Sequence, residues 1–313
     1  MSKVLAASRS RLPVKRVLAA RVVRRERLSP SFARVTIAGP ALANLEAHGF
    51  DQWFRMFIPK ADVELKQPLP ETIADERWYT QFLGTPEDER PWMRYVTIRD
   101  HRYPQTTECE IDVDVVVHGA PGSRCAGPLS TWGQTAALGS PVALLDQGAL
   151  FKPALAGVKP QEPTGEAAGN LLRTVEGSAL PSGESGESGE RHPSGLVIIG
   201  DETAVPGIAG TLRSLPADAK GHAFLEVPEP ADCRTLSAPD GVAVSWYTRH
   251  GVSAAPGSLA LAAAKPLLDE RGGEYVYAAG ESKMIAELNA LLRVELQWPK
   301  ELITAVGYWH RAV

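Results

Sequence analysis

One predicted strand carries a cation and a hydroxyl three positions apart, as a site for a phosphate-bearing cofactor would need. The strand contains the stretch "RYVTIR", residues 94–99. Arg94 could meet a phosphate and Thr97 could reach a planar ring. The same pattern is typical of an ordinary exposed strand face, so both interpretations stay open for the stretch alone.

A glycine- and proline-rich turn follows in "HGAPGSRCAGPLSTWG", residues 118–133. It ends at Ser130 and the helix-like "STWGQ", whose backbone N–H groups could bind a phosphate. His118, at the end of the preceding strand, could lie near the same ligand or bond to backbone. A surface loop between two strands is the alternative interpretation.

A third stretch, "GLVIIGDETAVPGIAGTL" at residues 195–212, has the strand–turn–helix pattern of nucleotide-binding crossovers. Its turn carries Asp201 and Glu202 where a phosphate would be expected. Carboxylates suit the hydroxyl and amino groups of ribose or adenine, but they also suit the positive end of a helix dipole. Pro206 fits a first helical position, and Thr203 is a candidate helix cap.

The elements of the first half show a period of two residues, which predicts strands. In residues 108–119, apolar residues at alternate positions from Ile111 to Val117 share one face and acids share the other. Further strands are predicted at 15–26, 31–39, 53–58, 93–99 and 141–145. Short strands separated by turns predict an N-terminal antiparallel β-barrel. Residues 60–92 are expected to form a polar connection with one short helix.

The second half changes period and predicts a doubly wound parallel α/β domain that binds a nucleotide. "GLVIIG" is a continuous apolar run, as in a strand covered on both faces. Further strands are predicted in "HAFLEV", "VAVSWYT", "EYVYAAG" and "ITAVGYW", and a helix in "SKMIAELNALLRVELQW". Strands that alternate with helices favour a parallel sheet.

The length of 313 residues is sufficient for two domains. We predict the barrel in 1–152, a flexible linker in 153–193 with a Ser-Gly-Glu repeat, and the α/β domain in 194–313.

Composition argues against several classes of partner and location. The formal net charge of -4 and the pI near 6.0 argue against a nucleic-acid-binding protein. No apolar run approaches the roughly 20 residues that span a bilayer. The 3 cysteines show no metal-ligand spacing, so no protein metal site is predicted and a reduced, cytoplasmic setting is expected.

Five stretches together resemble the siderophore-interacting proteins, FAD-containing ferric-siderophore reductases of the ferredoxin-reductase-like superfamily. In the family's order they are "DQWFRMFIP", "RYVTIR", "VDVVVHG" with "GPLSTW", "GDETAVPGI", and "YAAGESKMI" with "GYWHR". The resemblance implies FAD on the barrel, NAD(P)H or ferredoxin as electron donor, and a ferric siderophore as acceptor, whose iron is released as Fe(II). We also expect a monomer.

The resemblance assigns cofactor-binding roles position by position. The barrel strand supplies a phosphate partner and ring contacts, and the glycine-rich turn supplies backbone donors. The turn after "GLVIIG" closes over the adenosine end of FAD and the nicotinamide approach, with Thr203 near the ring. Trp309 either shields the flavin or is a packed C-terminal aromatic. No catalytic acid or base is implied, because the flavin carries the chemistry. The full set is Arg94, Tyr95, Val96, Thr97, His118, Gly119, Gly127, Pro128, Leu129, Ser130, Trp132, Asp201, Glu202, Thr203, Ala204, Gly280, Glu281 and Trp309.

Two positions depart from the family's pattern. Val96 stands where the family has a tyrosine, and Tyr95 lies one place earlier, on the opposite strand face. Tyr95 can therefore replace the missing ring contact only if the strand bulges. Otherwise Val96 covers the ring with a smaller apolar contact. Leu129 replaces the family's alanine in the glycine- and proline-rich turn. This change leaves the backbone N–H donors of the turn intact.

The acceptor site is expected to be basic, because iron-loaded siderophores often carry negative charge. By resemblance Arg55 and Arg249 are assigned to it. Arg124 is a third candidate, in the stretch "APGSRCA" that lengthens the loop before "GPLSTW" relative to the family. Two alternatives remain at this point. One is a flavin reductase that serves another acceptor, and the other is a siderophore-binding protein without flavin.

Overall fold

Two β-sheets organise the residues that the computed structural model describes, which are 15–45, 47–60, 72–73, 77–102, 108–123, 125–151, 195–270 and 272–311. The predicted linker at 153–193 lies outside these residues. None of the described helices has the length and apolar character that a membrane-spanning helix needs.

The first sheet is antiparallel, with the order β5-β3-β8-β1-β2-β7-β6, and β4 pairs with β1. The helices α1 and α2 accompany it. The bounds are β1 (Lys15–Ser29), β2 (Phe32–Ala38), β3 (Trp53–Ile58), β4 (Thr72–Ile73), α1 (Arg77–Gly84), β5 (Trp92–Thr97), β6 (Asp100–Arg102), β7 (Glu110–Val116), α2 (Pro128–Thr135) and β8 (Pro141–Gly148).

The alternating apolar residues of these strands share one buried core, which confirms the predicted barrel-like pattern. Val35 and Ile37 of β2 and Ile111 and Val113 of β7 are all completely buried in it. The edge strands of this order are β5 and β6, and the described strand pairs leave the predicted barrel open between them. After β5, the N–H of Arg99 reaches a carbonyl oxygen of β7 at 2.9 Å.

The second sheet is parallel, with the order β11-β10-β9-β12-β13. Its bounds and those of its helices are β9 (Leu196–Gly200), α3 (Val205–Ser214), β10 (Gly221–Val227), β11 (Val242–Thr248), α4 (Ser258–Glu270), β12 (Tyr275–Glu281), α5 (Ser282–Ala290) and β13 (Ile303–Trp309). Ile208 of α3 packs on one face, whereas Ala260 of α4 and Leu288 of α5 pack on the other. The predicted doubly wound α/β domain is confirmed.

Some local predictions differ from the structure. Helix α3 is capped at Ala204 without a side-chain hydrogen bond. The prediction of Thr203 as cap is therefore wrong, because its hydroxyl donates to Asp201 instead. Helix α4, which contains Pro266, was not predicted. The predicted helix over residues 282–298 is α helical to Ala290 and continues as a π turn over Leu291–Glu295.

Helix α3 and the buried acid Asp51 are among the contacts that join the two sheets. The Oδ2 atom of Asp51, just before β3, accepts a hydrogen bond from the hydroxyl of Tyr277 on β12 at 2.7 Å. Its Oδ1 atom accepts from the N–H groups of Leu150 and Phe151 at 3.0 and 2.9 Å. Asp51 is fully buried, and this burial raises its pKa. These bonds join the barrel-like sheet to the parallel sheet.

Candidate functional site

A cleft of about 900 Å³ lies between the two sheets. One wall comes from β5, the end of β7 and the start of α2, and the other comes from the turn after β9 and the end of β13. Its lining is Trp53, Met93, Arg94, Tyr95, Val96, Thr97, Asp114, Val115, Val116, His118, Gly127, Pro128, Leu129, Ser130, Leu150, Glu202, Thr203, Pro206, Val306, Gly307, Tyr308, Trp309 and His310.

Strand β5 pairs regularly with β3, so it presents alternate residues to opposite faces. Tyr95 lies opposite Arg55, and Val96 lies opposite Phe54, with no bulge in the pairing. Val96 is buried with Phe54 in the barrel core. Tyr95 is 54% exposed and edge-on to Trp53, with ring centroids 5.4 Å apart. The bulge that would bring Tyr95 to the position of Val96 is absent from this strand.

Arg94 places a partly buried cation in the cleft wall. Its Nη1 donates to the carbonyl oxygen of Met93 at 2.7 Å, and its guanidinium lies 5.3 Å from the ring of Trp92. It forms no ion pair with any carboxylate of the described residues. Burial lowers its pKa, which is the effect expected of a desolvated cation with no anion beside it. An anionic ligand at this point would compensate that cost.

The N-terminus of α2 forms a second part of the barrel wall. Gly127 is the N-cap and no side chain caps the helix, so the N–H groups of its first turn lack a side-chain acceptor. A Cβ at Gly127 would meet nothing within 4 Å. The hydroxyl of Ser130 is engaged with the backbone of His118, accepting from its N–H at 2.9 Å and donating to its carbonyl at 3.0 Å. The backbone of this turn therefore has space and donors for an anion.

Asp201 joins the turn after β9 to the ends of β12 and β13. Its Oδ1 accepts from the N–H and the hydroxyl of Thr203, at 2.9 and 2.5 Å. Its Oδ2 accepts from the N–H of Glu281 at 2.7 Å and from Nε1 of Trp309 at 3.0 Å. A Cβ at Gly280 would come within 2.7 Å of this carboxylate, which explains the glycine. Asp201 thus fixes Trp309 in the cleft wall while itself lying fully buried outside it.

Glu202 lies in the cleft wall and contacts Arg249. Its Oε1 accepts from Nη2 of Arg249 at 2.8 Å. Nη1 of Arg249 donates to Oε1 of Glu226 at 2.7 Å, and Glu226 in turn accepts three N–H groups at the start of α4. Burial, followed by the charge of neighbouring Asp201, raises the pKa of Glu202 to about 7.

Neither Arg55 nor Arg249, the two acceptor candidates that the structure describes, lines the cleft. Arg55 lies on β3, as expected, with its guanidinium 5.1 to 5.8 Å from the rings of Trp78, Tyr79 and Tyr95. Arg249 directly follows β11, as expected, and is held by two carboxylates. Arg124 lies outside the described residues. Their role in acceptor binding stays a prediction.

The cleft gathers most of the predicted cofactor-binding residues. Those in its lining are Arg94, Tyr95, Val96, Thr97, His118, Gly127, Pro128, Leu129, Ser130, Glu202, Thr203 and Trp309. Those outside it are Gly119, Trp132, Asp201, Ala204, Gly280 and Glu281. Of these, Trp132 is buried in the barrel core, and Glu281 caps α5 by accepting from the N–H groups of Lys283 and Met284.

Sequence reasoning missed several lining residues, above all those around the last strand. The stretch "GYWHR" pointed to Trp309 alone, although Gly307, Tyr308 and His310 also line the cleft. Trp53 lies in a stretch that was singled out only for its arginine. The residues around Trp309 could have been found from their position near the carboxyl end of a parallel strand. Ligands collect at that edge of a parallel sheet.

Two family models match the chain and together span both sheets. A siderophore-interacting FAD-binding domain matches residues 21–150, and a siderophore-interacting protein model matches residues 193–312. Together these segments cover well over half of the chain.

Relatives match along nearly the whole length. The ferric vibriobactin reductase ViuB of Vibrio cholerae is 26% identical over 294 residues, covering 92% of this chain and 88% of that protein. A siderophore utilization protein from T. fusca has a similar structure, with a TM-score of 0.64 at 23% identity over 97% of this chain and 96% of the other. The siderophore-interacting protein SipS from Aeromonas hydrophila gives a TM-score of 0.61 at 22% identity, over 96% and 93%. On the family models, the chain belongs to the siderophore-interacting proteins and contains their FAD-binding domain.

Proposed function

We propose that this protein is an FAD-dependent reductase of ferric siderophores that takes electrons from NAD(P)H or ferredoxin and releases iron as Fe(II). The observation that carries the proposal is the cleft between the FAD-binding domain and the parallel sheet, with the uncompensated cation of Arg94 in its wall. The similarity to a ferric vibriobactin reductase along 92% of the chain supports the choice of acceptor.

The residues of the cleft fit FAD. Arg94 supplies the positive charge that a pyrophosphate needs, and the uncapped start of α2 adds backbone donors. Gly127 leaves open space beside these donors. The volume of about 900 Å³ lies within the range of cofactor pockets.

When bound, FAD accepts a hydride from a nicotinamide, or electrons from ferredoxin, and passes single electrons on to iron. The chain binds and orients the reactants. Thr97 contributes a hydroxyl to the barrel wall, and Trp309, held by Asp201, presents an aromatic surface from the opposite wall. Val115, Leu150 and Val306 add apolar residues to the lining, which would exclude water from the space beside bound FAD.

Iron is the substrate in this scheme. Siderophores bind Fe(III) much more tightly than Fe(II), so one-electron reduction is sufficient to weaken the chelate. The protein needs no metal ligands of its own for this step, and the described residues contain no group of three or more His, Cys, Asp or Glu side chains suited to a metal ion.

A comparison of electron donors tests the proposal. The purified protein, loaded with FAD, is mixed without oxygen with NADH, NADPH or reduced ferredoxin while the flavin absorbance is followed. We expect at least one donor to bleach the flavin. A protein that takes up no flavin would instead support the siderophore-binding alternative. Reduction of other acceptors in preference to ferric siderophores would support the general flavin reductase.

A further inference from the structure

Glu202 lines the cleft, and one oxygen of its carboxyl group is bound while the other is unpartnered. Oε1 accepts from Arg249, whereas Oε2 is buried and accepts no hydrogen bond from the described residues. The residue is only 7% exposed, so bulk water solvates it poorly. Burial without a donor penalises the ionised form, and the group therefore retains a proton more readily than a surface acid.

The charges around Glu202 set its proton affinity near neutrality. Asp201 precedes it, Arg249 contacts it from the end of β11, and Glu226 of β10 shares that arginine. His118 and His310 lie in the same cleft. Desolvation and then the charge of Asp201 raise the pKa of Glu202 to about 7, against the opposing attraction of Arg249. Glu202 can thus carry a proton at neutral pH. After the proton has left, Arg249 remains beside the resulting carboxylate.

We infer that Glu202 is a catalytic residue that donates its proton to a chelating oxygen of the ferric siderophore as the iron is reduced. The inference rests on the proposed function, which supplies the electron. That electron converts Fe(III) to Fe(II). One iron–oxygen bond breaks and leaves its electron pair on the oxygen, which takes the proton from Glu202. The resulting carboxylate stays paired with Arg249 and recovers a proton from solvent.

Coupling of the proton transfer to the reduction of iron suits a siderophore as substrate. Siderophore oxygens bind iron in their deprotonated form, so protonation removes a ligand at the moment when the metal is held less tightly. A general acid acts best when its pKa lies near the working pH, and such groups typically contribute about 10²–10⁴-fold to a rate. A proton donor in the cleft wall would keep the released oxygen from binding the iron again.

The test compares Glu202→Gln with wild type from pH 6 to pH 8. Glutamine keeps the shape and an acceptor for Arg249 but carries no exchangeable acid proton. Glu295→Gln, an exposed position in the π turn, is the matched control. Release of Fe(II) from a ferric catecholate and a ferric hydroxamate siderophore is followed with a ferrous-specific chelator, and reduction of ferricyanide, which needs no ligand protonation, is followed in parallel.

We expect Glu202→Gln to release Fe(II) at least about tenfold more slowly at pH 6 and to lose the fall in rate that wild type shows as the pH rises through 7. Glu295→Gln should match wild type in both assays, and in Glu202→Gln the loss in Fe(II) release should exceed any change in ferricyanide reduction. Equal Fe(II) release and the same pH profile in Glu202→Gln and wild type would overturn the inference and leave the proposed function standing. Wild type that reduces ferricyanide but no ferric siderophore would instead refute the proposed function, and the inference with it.

A readout without flavin or activity tests the proton itself. Infrared difference spectra of the FAD-free protein between pH 6 and pH 8 should show one protonated carboxyl band that disappears near pH 7 and is missing in Glu202→Gln. The band should persist in Glu295→Gln. If Glu202→Gln leaves the spectrum unchanged, Glu202 holds no proton at pH 6 and the inference fails.

Discussion

The carboxylate of Asp201 is the point where three separated stretches of the chain meet. It accepts hydrogen bonds from Thr203 in its own turn, from Glu281 after β12 and from Trp309 at the end of β13. Sequence reasoning interpreted Asp201 as a candidate ligand for ribose or adenine. The structure engages both of its oxygens with protein donors and gives it a positioning role for Trp309.

We expect Asp201→Asn to destabilise the protein. In this variant an amide nitrogen replaces one carboxylate oxygen and cannot accept a hydrogen bond. The two donors that this oxygen satisfies are then unpaired, and each buried unsatisfied group costs about 1–3 kcal/mol. Urea unfolding should therefore show a loss of at least about 2 kcal/mol. Thr203→Ala removes only one of the donors and should cost less. An Asp201→Asn protein as stable as wild type would contradict the positioning role.

Arg94 is the residue on which flavin affinity should depend most. A hydrogen bond to a charged group contributes about 1.5–3 kcal/mol, so Arg94→Ala should weaken FAD binding about 10- to 150-fold. Titration of the FAD-free protein with FAD measures the effect. Arg293→Ala removes an exposed cation far along the chain and serves as control. Unchanged FAD affinity in Arg94→Ala would show that the phosphates lie elsewhere.

The residue types of the site could be predicted better than their contacts. Arg94, Thr97 and Glu202 were expected in the site and all line the cleft. The hydrogen bond from Trp309 to Asp201 joins residues 108 positions apart, and no local spacing encodes such a pair. The same is true of the engagement of Arg249 by Glu226, which depends on the order of the strands.

At the scale of elements, helix α3 shows how a glycine fixes the distance between the sheets. A Cβ at Gly210 would lie 2.3 Å from the carbonyl oxygen of Phe50, on the barrel side of the interface. One turn earlier, a Cβ at Gly207 would make only ordinary contacts at 3.5 Å with Asp51 and Thr97. The helix therefore requires glycine at one of these positions and not at the other.

This difference gives a matched pair of variants. Gly207→Ala should be neutral or stabilise by up to about 1 kcal/mol, because alanine favours the helix. Gly210→Ala should destabilise by about 1–3 kcal/mol, because overpacking forces the backbones apart. Thermal and urea unfolding of both variants would measure the two effects. Equal stability changes would contradict the close approach of α3 to the barrel-like sheet.

Elements with a clear period were predicted well, and elements without one were not. The alternation in β7 and the apolar run of β9 both gave strands at the expected places. Helix α4 was missed because its alanine-rich sequence with an internal Pro266 gives a weak apolar pattern. The end of α5 was misjudged because the apolar residues keep a helical spacing through the π turn.

At the scale of the whole molecule, the order of barrel-like sheet and parallel sheet was predictable, because the period of the apolar pattern changes from the first half to the second. That architecture predicts a cleft between the two sheets but does not predict which residues form its walls. Its walls depend on α3 and on the bond from Tyr277 to Asp51, whose partners lie 226 residues apart. The expected cytoplasmic location, the monomeric state and the order of residues 153–193 stay predictions.

The measurement that tests the central claim most directly follows iron and flavin in one experiment. The FAD-loaded protein is reduced without oxygen, freed of excess donor, and mixed with a ferric siderophore in the presence of a ferrous-specific chelator. We predict that the flavin absorbance returns as Fe(II) appears, with two Fe(II) formed for each fully reduced flavin because each iron takes one electron. A flavin that stays reduced while no Fe(II) forms would contradict the account.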